Sequence, residues 1–167
     1  MKISKEMETA LNKQINAEYY SSYLYLAMAV YFEQNNLKGF ANWMRIQAHE
    51  EWGHGTKILT YLLDIGAKVN FAEIAKPEST WKSPLEVFKA SLSHEKKVTG
   101  MINELYDLAK SDKDNATEIF LQWFVTEQVE EEASAEDIVS KLEMADGVPG
   151  ALFMIDKELG QRVRVQE

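Results

Sequence analysis

Four glutamates stand where a helical core wants aliphatic side chains, and they constrain this chain more than any other feature. Read in heptads, one apolar stripe runs Leu11, Glu18, Tyr25, Phe32, and a second runs Met44, Glu51, Ile58, Ile65. A third runs Phe88, Glu95, Ile102, Ala109, and a fourth Thr117, Phe124, Glu131, Ile138. An unpaired buried charge is strongly unfavourable, so such positions need a counter-charge or a metal ion. No lysine or arginine shares these stripes. Any one of the four, taken alone, fits a protonated core acid or half of a polar network. All four at one level would leave that network half-satisfied, which is costly, so a metal is the simplest answer.

The stripes lie in four segments of helical periodicity, placed at residues 5–34, 38–66, 84–111 and 115–145. Asn35-Asn36-Leu37-Lys38-Gly39 and Ser111-Asp112-Lys113-Asp114-Asn115 are short breaks that suit antiparallel neighbours. The connection from Ala67 to Ser83 is longer, contains Pro77 and leads into Pro84 at a helix start. Its seventeen residues reach up to about 55–60 Å when extended. That span carries the chain the full height of the bundle, so the third helix begins at the end where the second began. After Gly147-Val148-Pro149-Gly150, Leu152, Ile155 and Leu159 recur at helical spacing. They predict a short fifth helix near 150–160, which must dock on its own bundle or on a neighbouring subunit. The expected fold is all-α: a four-helix bundle, one long crossover between the second and third helices, and a short C-terminal helix. Its 167 residues are read as one domain over 1–167.

Composition removes several functions. Cysteine is absent, which excludes disulfides, thiolate metal sites and thiol nucleophiles, so metal ligands must be oxygen and imidazole. A net charge of −9 argues against nucleic-acid binding, which needs clustered Lys and Arg. No apolar run approaches the roughly 18 residues of a membrane span. Met1-Lys2-Ile3-Ser4-Lys5-Glu6 lacks the plan of a secretory signal. A cytoplasmic protein without membrane or nucleic-acid partners is expected.

Each predicted hairpin offers a lone core glutamate on its first helix and a pair three residues apart on its second. The pairs are Glu51 with His54 and Gln128 with Glu131, and residues three apart share a helix face. Glu-x-x-His alone is a weak motif; in register with three further core carboxylates it is a strong one. Carboxylates with imidazole suit iron, manganese or zinc, and carboxylate bridging suits two metals close together. The assignment that follows puts Glu18, Glu51 and His54 on one metal and Glu95 and Glu131 on the other, with Glu51 bridging. His49 and His94 each precede a core position by one residue and are read as peripheral. Tyr25 is either a core tyrosine with a satisfied hydroxyl or a group that contacts the site and donates an electron; Trp123 divides the same way. Met28, Met44 and Met101 are read as core filling. In the acidic run from Glu127 to Glu136, Glu132 and Glu136 are read as solvated. Glu127 and Glu130 fit an exposed face or a further metal role equally.

Several segments together resemble the prokaryotic non-haem ferritins. They are Asn16-Ala17-Glu18-Tyr19-Tyr20-Ser21-Ser22, His49-Glu50-Glu51-Trp52-Gly53-His54, Phe120-Leu121-Gln122-Trp123 and Glu127-Gln128-Val129-Glu130-Glu131-Glu132. The resemblance runs from the first helix through the short fifth. It implies a first iron site at Glu18, Glu51 and His54, and a second at Glu95 and Glu131 with Gln128 nearby. It also implies a third iron held by Glu50, Glu127 and Glu130. The implied activity is oxidation of Fe(II) by dioxygen or peroxide, followed by mineral storage inside a shell of twenty-four subunits. Bacterioferritins and rubrerythrins resemble the same plan but carry a second Glu-x-x-His on the fourth helix; here that place reads Gln128-Val129-Glu130-Glu131. Trp52 replaces the haem-ligating methionine of bacterioferritins, so no haem is expected. Two other readings stand beside storage: a discrete di-iron enzyme using the same site, and a structural bundle whose polar core sets register.

Overall fold

Ser4 opens the first helix by accepting a hydrogen bond from the Met7 amide at 3.0 Å, which satisfies one orphan N–H of the first turn. A computed structural model, describing residues 3–148 and 150–164, shows α1 at Lys5–Gln34, α2 at Lys38–Asp64 and α3 at Pro84–Ser111. Helix α4 spans Asn115–Met144 and α5 spans Ala151–Leu159. Ser83 and Asp114 cap α3 and α4 with side-chain oxygens. The expected boundaries hold closely. Helix α2 ends two residues early because the Ala67 amide turns back to the Leu62 carbonyl at 2.9 Å. Pro149, read as part of the stop after α4, and Met1 and Lys2, read against a leader, lie outside the described residues.

The long crossover runs beside α1 and is tied to a ladder of its side chains. Glu8 accepts from the Lys68 amide (3.1 Å) and Asn12 from the Asn70 amide (2.7 Å). Asn12 also donates to the Lys68 carbonyl (2.9 Å), and Asn16 to the Glu73 carbonyl (3.0 Å). Positions 8, 12 and 16 share one face at helical spacing, so the ladder steers the connection along the helix. Trp81 then packs edge-on against Tyr31, and α3 starts at the end where α2 began.

Helix α5 docks on its own bundle. Leu37, the N-cap residue of α2, supplies no side-chain oxygen. Asp156 of α5 supplies it instead, accepting from the amides of Gly39 (2.8 Å) and Phe40 (3.1 Å). A carboxylate at a helix N-terminus is favoured by the free N–H groups and the helix dipole. Gly39 permits the approach, because a Cβ there would lie 1.6 Å from the Asp156 carbonyl oxygen.

The apolar core falls into two halves. One gathers Met28, Phe32, Phe40, Met44, Phe88 and Ile138; the other gathers Leu11, Ile15, Ile58, Ile102 and Phe124. Each such side chain contributes about 1.5–3 kcal/mol when fully buried. Met101 is only half-buried, so it is not the core filler expected from its spacing. Along every long helix, the break between the halves is a run of buried polar residues. Among the described residues no helix is long and apolar enough to cross a membrane.

Candidate metal centre

At that break, Glu18 comes from α1, Glu51 and His54 from α2, Glu95 from α3, and Glu131 from α4. All five are between 1% and 8% exposed. Ligand atoms of Glu18, Glu51 and His54 lie within 4.8 Å of one another, as do those of Glu51, Glu95 and Glu131. Glu51 belongs to both trios, as a bridging carboxylate must. His54 Nδ1 lies 3.6 Å from Glu51 Oε2 and 3.9 Å from Glu131 Oε1.

Three atoms of this set, Glu18 Oε2, Glu131 Oε2 and His54 Nε2, are buried without a hydrogen-bond partner. A buried polar atom left unpaired costs the full desolvation penalty of the group. Oxygen and imidazole donors left unpaired in this number fit metal cations, and fit them better than they fit an apolar or purely hydrogen-bonded interior.

Electrostatics reinforces the fit. Burial pushes the Glu51 carboxyl well above its ordinary value, with Glu95 and Glu18 adding to the rise. Glu131 is likewise pushed well up by burial and then by Glu51 and Glu95. Glu18 is raised by burial, against opposing effects of His54 and Gln14. Glu95 is raised by burial against the hydrogen bonds of Tyr25 and Gln128. Without a cation these carboxyls therefore hold their protons more tightly than free carboxyls do, and a cation would compete with those protons.

A ring of amides and hydroxyls orients these carboxylates. Gln14 donates to Glu18 at 2.8 Å. Gln47 donates to Glu51 (3.1 Å) and to Glu131 (3.0 Å). Gln128 donates to Glu95 Oε2 (3.3 Å) and to Thr99 (3.2 Å). The Tyr25 hydroxyl donates to Glu95 and accepts from Ser91 at 3.3 Å. Burial, followed by Glu95, raises the Tyr25 phenol well above its ordinary value, so it stays protonated. Trp123 meets His54 edge-on at 5.3 Å and carries the Lys57 ammonium 3.7 Å above its ring.

The remaining sequence candidates separate. Glu127 joins His54 and Glu131 in a third trio of ligand atoms within 4.8 Å. Glu50 is half-buried and paired with Arg162 at 2.5 Å, and Glu130 is exposed. Neither belongs to a convergent trio among the described residues. His49 is exposed. His94 lies 2.7 Å from the Ser21 hydroxyl and edge-on to Tyr25. Trp52 is exposed and stacks on Tyr19 at 4.5 Å.

Sequence reasoning missed Gln14, Gln47 and Arg162. The two glutamines carried a signal, since each precedes a core glutamate by four residues and so shares its face. Arg162 carried none, because its place depends on how α5 docks.

A bundle of two hairpins joined by one long crossover, with carboxylates and an imidazole converging at mid-height, defines the ferritin-like class of carboxylate bundles. Residues 8–145 match the family model of the ferritin-like domain, and the chain belongs to the ferritin family. It is 43% identical over 160 residues to the bacterial non-haem ferritin of Bacteroides fragilis (strain 638R), covering 96% of this chain and 99% of that protein. It is 43% identical over 165 residues to that of Staphylococcus aureus (strain MRSA252), covering 99% of each. An open-pore ferritin from the hyperthermophilic archaeon Archaeoglobus fulgidus superimposes with a TM-score of 0.95 at 50% identity, over 96% of this chain and 98% of that one. A humanised archaeal ferritin does so at 0.97 and 50% identity, over 99% and 100%.

Proposed function

We propose that this chain stores iron after oxidising Fe(II) at the mid-height centre, and that Glu18, Glu51, His54, Glu95 and Glu131 are the residues that hold the reacting pair. The observation that carries this reading is the double membership of Glu51 in two buried ligand trios. In this reading Glu18, Glu51 and His54 bind one iron, and Glu51, Glu95 and Glu131 bind the other. Gln128 keeps its amide on Glu95 and acts by orientation. Glu127, converging on His54 and Glu131, is the third-iron residue nearest the pair; Glu50 and Glu130 are assigned to that iron by family resemblance alone.

Iron here is substrate and cargo. Each Fe(II) gives up one electron, and a pair supplies the two that, with two protons, reduce dioxygen to hydrogen peroxide. The chain's part is to hold both ions in one dry pocket and to accept the added charge of the ferric state on its carboxylates. Where dioxygen is instead reduced to water, Tyr25 is the additional donor: with three Fe(II) it completes the four electrons that, with four protons, give two waters, and its own proton passes to Glu95, on which the hydroxyl already rests. Trp123 is disfavoured for that role, because the Lys57 ammonium above its ring opposes positive charge there. The ferric product leaves for the cavity of a shell of twenty-four copies, in the cytoplasm. Haem has no part in this reading, since Trp52 stands where the haem-binding relatives place a methionine.

Aerobic addition of a large excess of Fe(II), followed by size exclusion with iron detection, tests the proposal. Iron far above three per chain, co-eluting with a shell-sized species, is the expected result. Iron held at two or three per chain on a monomer or dimer would overturn storage in favour of a discrete di-iron enzyme. Absence of bound iron would overturn the metal centre itself.

A further inference from the structure

Arg162 follows α5, beyond the bundle, yet it ends against the metal centre. Asp156 caps α2 and seats α5 on it, and Asn42 of α2 donates to the Arg162 carbonyl at 3.0 Å. The guanidinium then lies 4.4 Å over the Trp43 ring. From there Nη2 donates to Glu50 Oε2 at 2.5 Å and Nη1 to Gln47 Oε1 at 3.1 Å. Nη1 also approaches the Trp43 carbonyl at 3.4 Å.

Gln47 is 3% exposed, and its Nε2 donates to both Glu51 and Glu131. A buried amide can rotate by half a turn and exchange oxygen for nitrogen, and its partners decide which way it points. A guanidinium has five donors, no acceptor and a charge it does not lose. It can face only the amide oxygen, which leaves Nε2 turned toward the two carboxylates. We propose that Arg162 is a positioning residue of the metal centre: it locks the Gln47 amide and thereby holds Glu51 and Glu131 in the geometry that receives metal. This assignment rests on the proposed function, in which Glu51 bridges the pair.

Positioning and charge predict opposite signs. A guanidinium near bound cations repels them, so a purely electrostatic neighbour would, on removal, leave metal binding tighter. A positioning residue, on removal, leaves it weaker. Outer-shell partners of metal ligands typically contribute about 10- to 100-fold in affinity or activity.

The test uses the assembled full-length protein, with Co(II) as probe, read by its d–d absorption, and the initial rate of Fe(II) oxidation as second readout. Arg162→Ala and Gln47→Leu are each expected to weaken Co(II) binding about tenfold, shift the d–d band and slow oxidation to a similar degree. The double variant is expected to be no worse than either single one, because both break the same link. If R162A does not fold, Arg162→Met carries the test. It keeps an unbranched stem but offers no donor to the Gln47 amide oxygen, and it too is expected to bind Co(II) more weakly. Wild-type affinity, band and rate in the variants would overturn the assignment. So would tighter Co(II) binding, or losses that multiply in the double variant. A wild type that shows neither a Co(II) band nor oxidation would overturn the metal-centre reading and this assignment with it. A wild type that shows both, matched by R162A, overturns Arg162 alone.

Discussion

Glu51 sits between Glu18 and Glu95, and with burial each carboxylate makes its neighbour harder to ionise. The consequence for stability has a definite sign. Groups whose folded pKa is raised stabilise the metal-free protein fully below their ordinary value of 4.5, and that stability is lost as pH rises through the raised values. Burial lowers His94 to about 4 from 6.5. Its contribution is therefore present above 6.5 and is lost as pH falls toward 4, so the two effects oppose each other only in that lower window. Above 6.5 the His94 contribution is constant and the raised carboxylates set the trend, so calorimetric scans of the metal-free protein from there upward should show Tm falling with pH. Saturating Co(II) should reverse the trend, because metal binding expels the protons whose retention the acid range favours. A metal-free Tm that rises across this range would contradict the buried-carboxylate account. Tyr25→Phe addresses electron donation. Rapid-freeze EPR during oxidation should show a tyrosyl signal in the wild type that is lost in the variant. An unchanged radical signal would move the donor elsewhere, Trp123 first.

Helix α5 is where local sequence and tertiary structure part company. The four long helices were legible because heptads of apolar residues repeat through each of them. The metal centre was legible for a related reason, since carboxylates interrupt those heptads at matching heights. The end of α2 depended on a main-chain turn that periodicity does not report, whereas Met101 lies one residue before the buried Ile102, at the edge of the α3 stripe and not on it. The seat of α5 was undetermined, because Leu152, Ile155 and Leu159 mark an apolar face without saying what covers it. Gly39 and Asp156 decide it, and they are 117 residues apart. Arg162 was illegible for the same reason, as was the counter-charge it brings near Glu50. Gly39→Ala should therefore undock α5, since the added carbon meets the Asp156 carbonyl at 1.6 Å. The expected loss is about 1–3 kcal/mol, as for other overpacked contacts. Trypsin should then cleave at Arg162 in the variant under conditions that leave the wild type intact. Equal cleavage rates would mean that α5 tolerates the clash by shifting as a unit.

The outer face of α1 presents Tyr23, Leu26 and Val30 at 49%, 47% and 47% exposure, spaced three and four residues apart on one stripe. The crossover tied along the same helix adds Phe71 at 73% and Ile74 at 39%. Apolar surface of this kind marks association sites, which fits the shell proposed above. All five proposed ligands, by contrast, come from the four helices of one protomer. Oxidation and storage therefore depend on different levels of organisation, and one pair of substitutions should separate them. Leu26→Glu with Val30→Glu places two charges in the stripe without touching the core or the centre. Size exclusion should move the protein from shell to monomer or dimer, and its initial rate of Fe(II) oxidation per chain should stay within about twofold of wild type, because the reacting pair is intact. Retained iron should fall to at most three per chain, since no enclosed cavity remains to keep the product. If the small species still oxidised Fe(II) but also held iron far above that number, storage would not need the shell. If it lost oxidation along with assembly, the centre would not be complete within one chain.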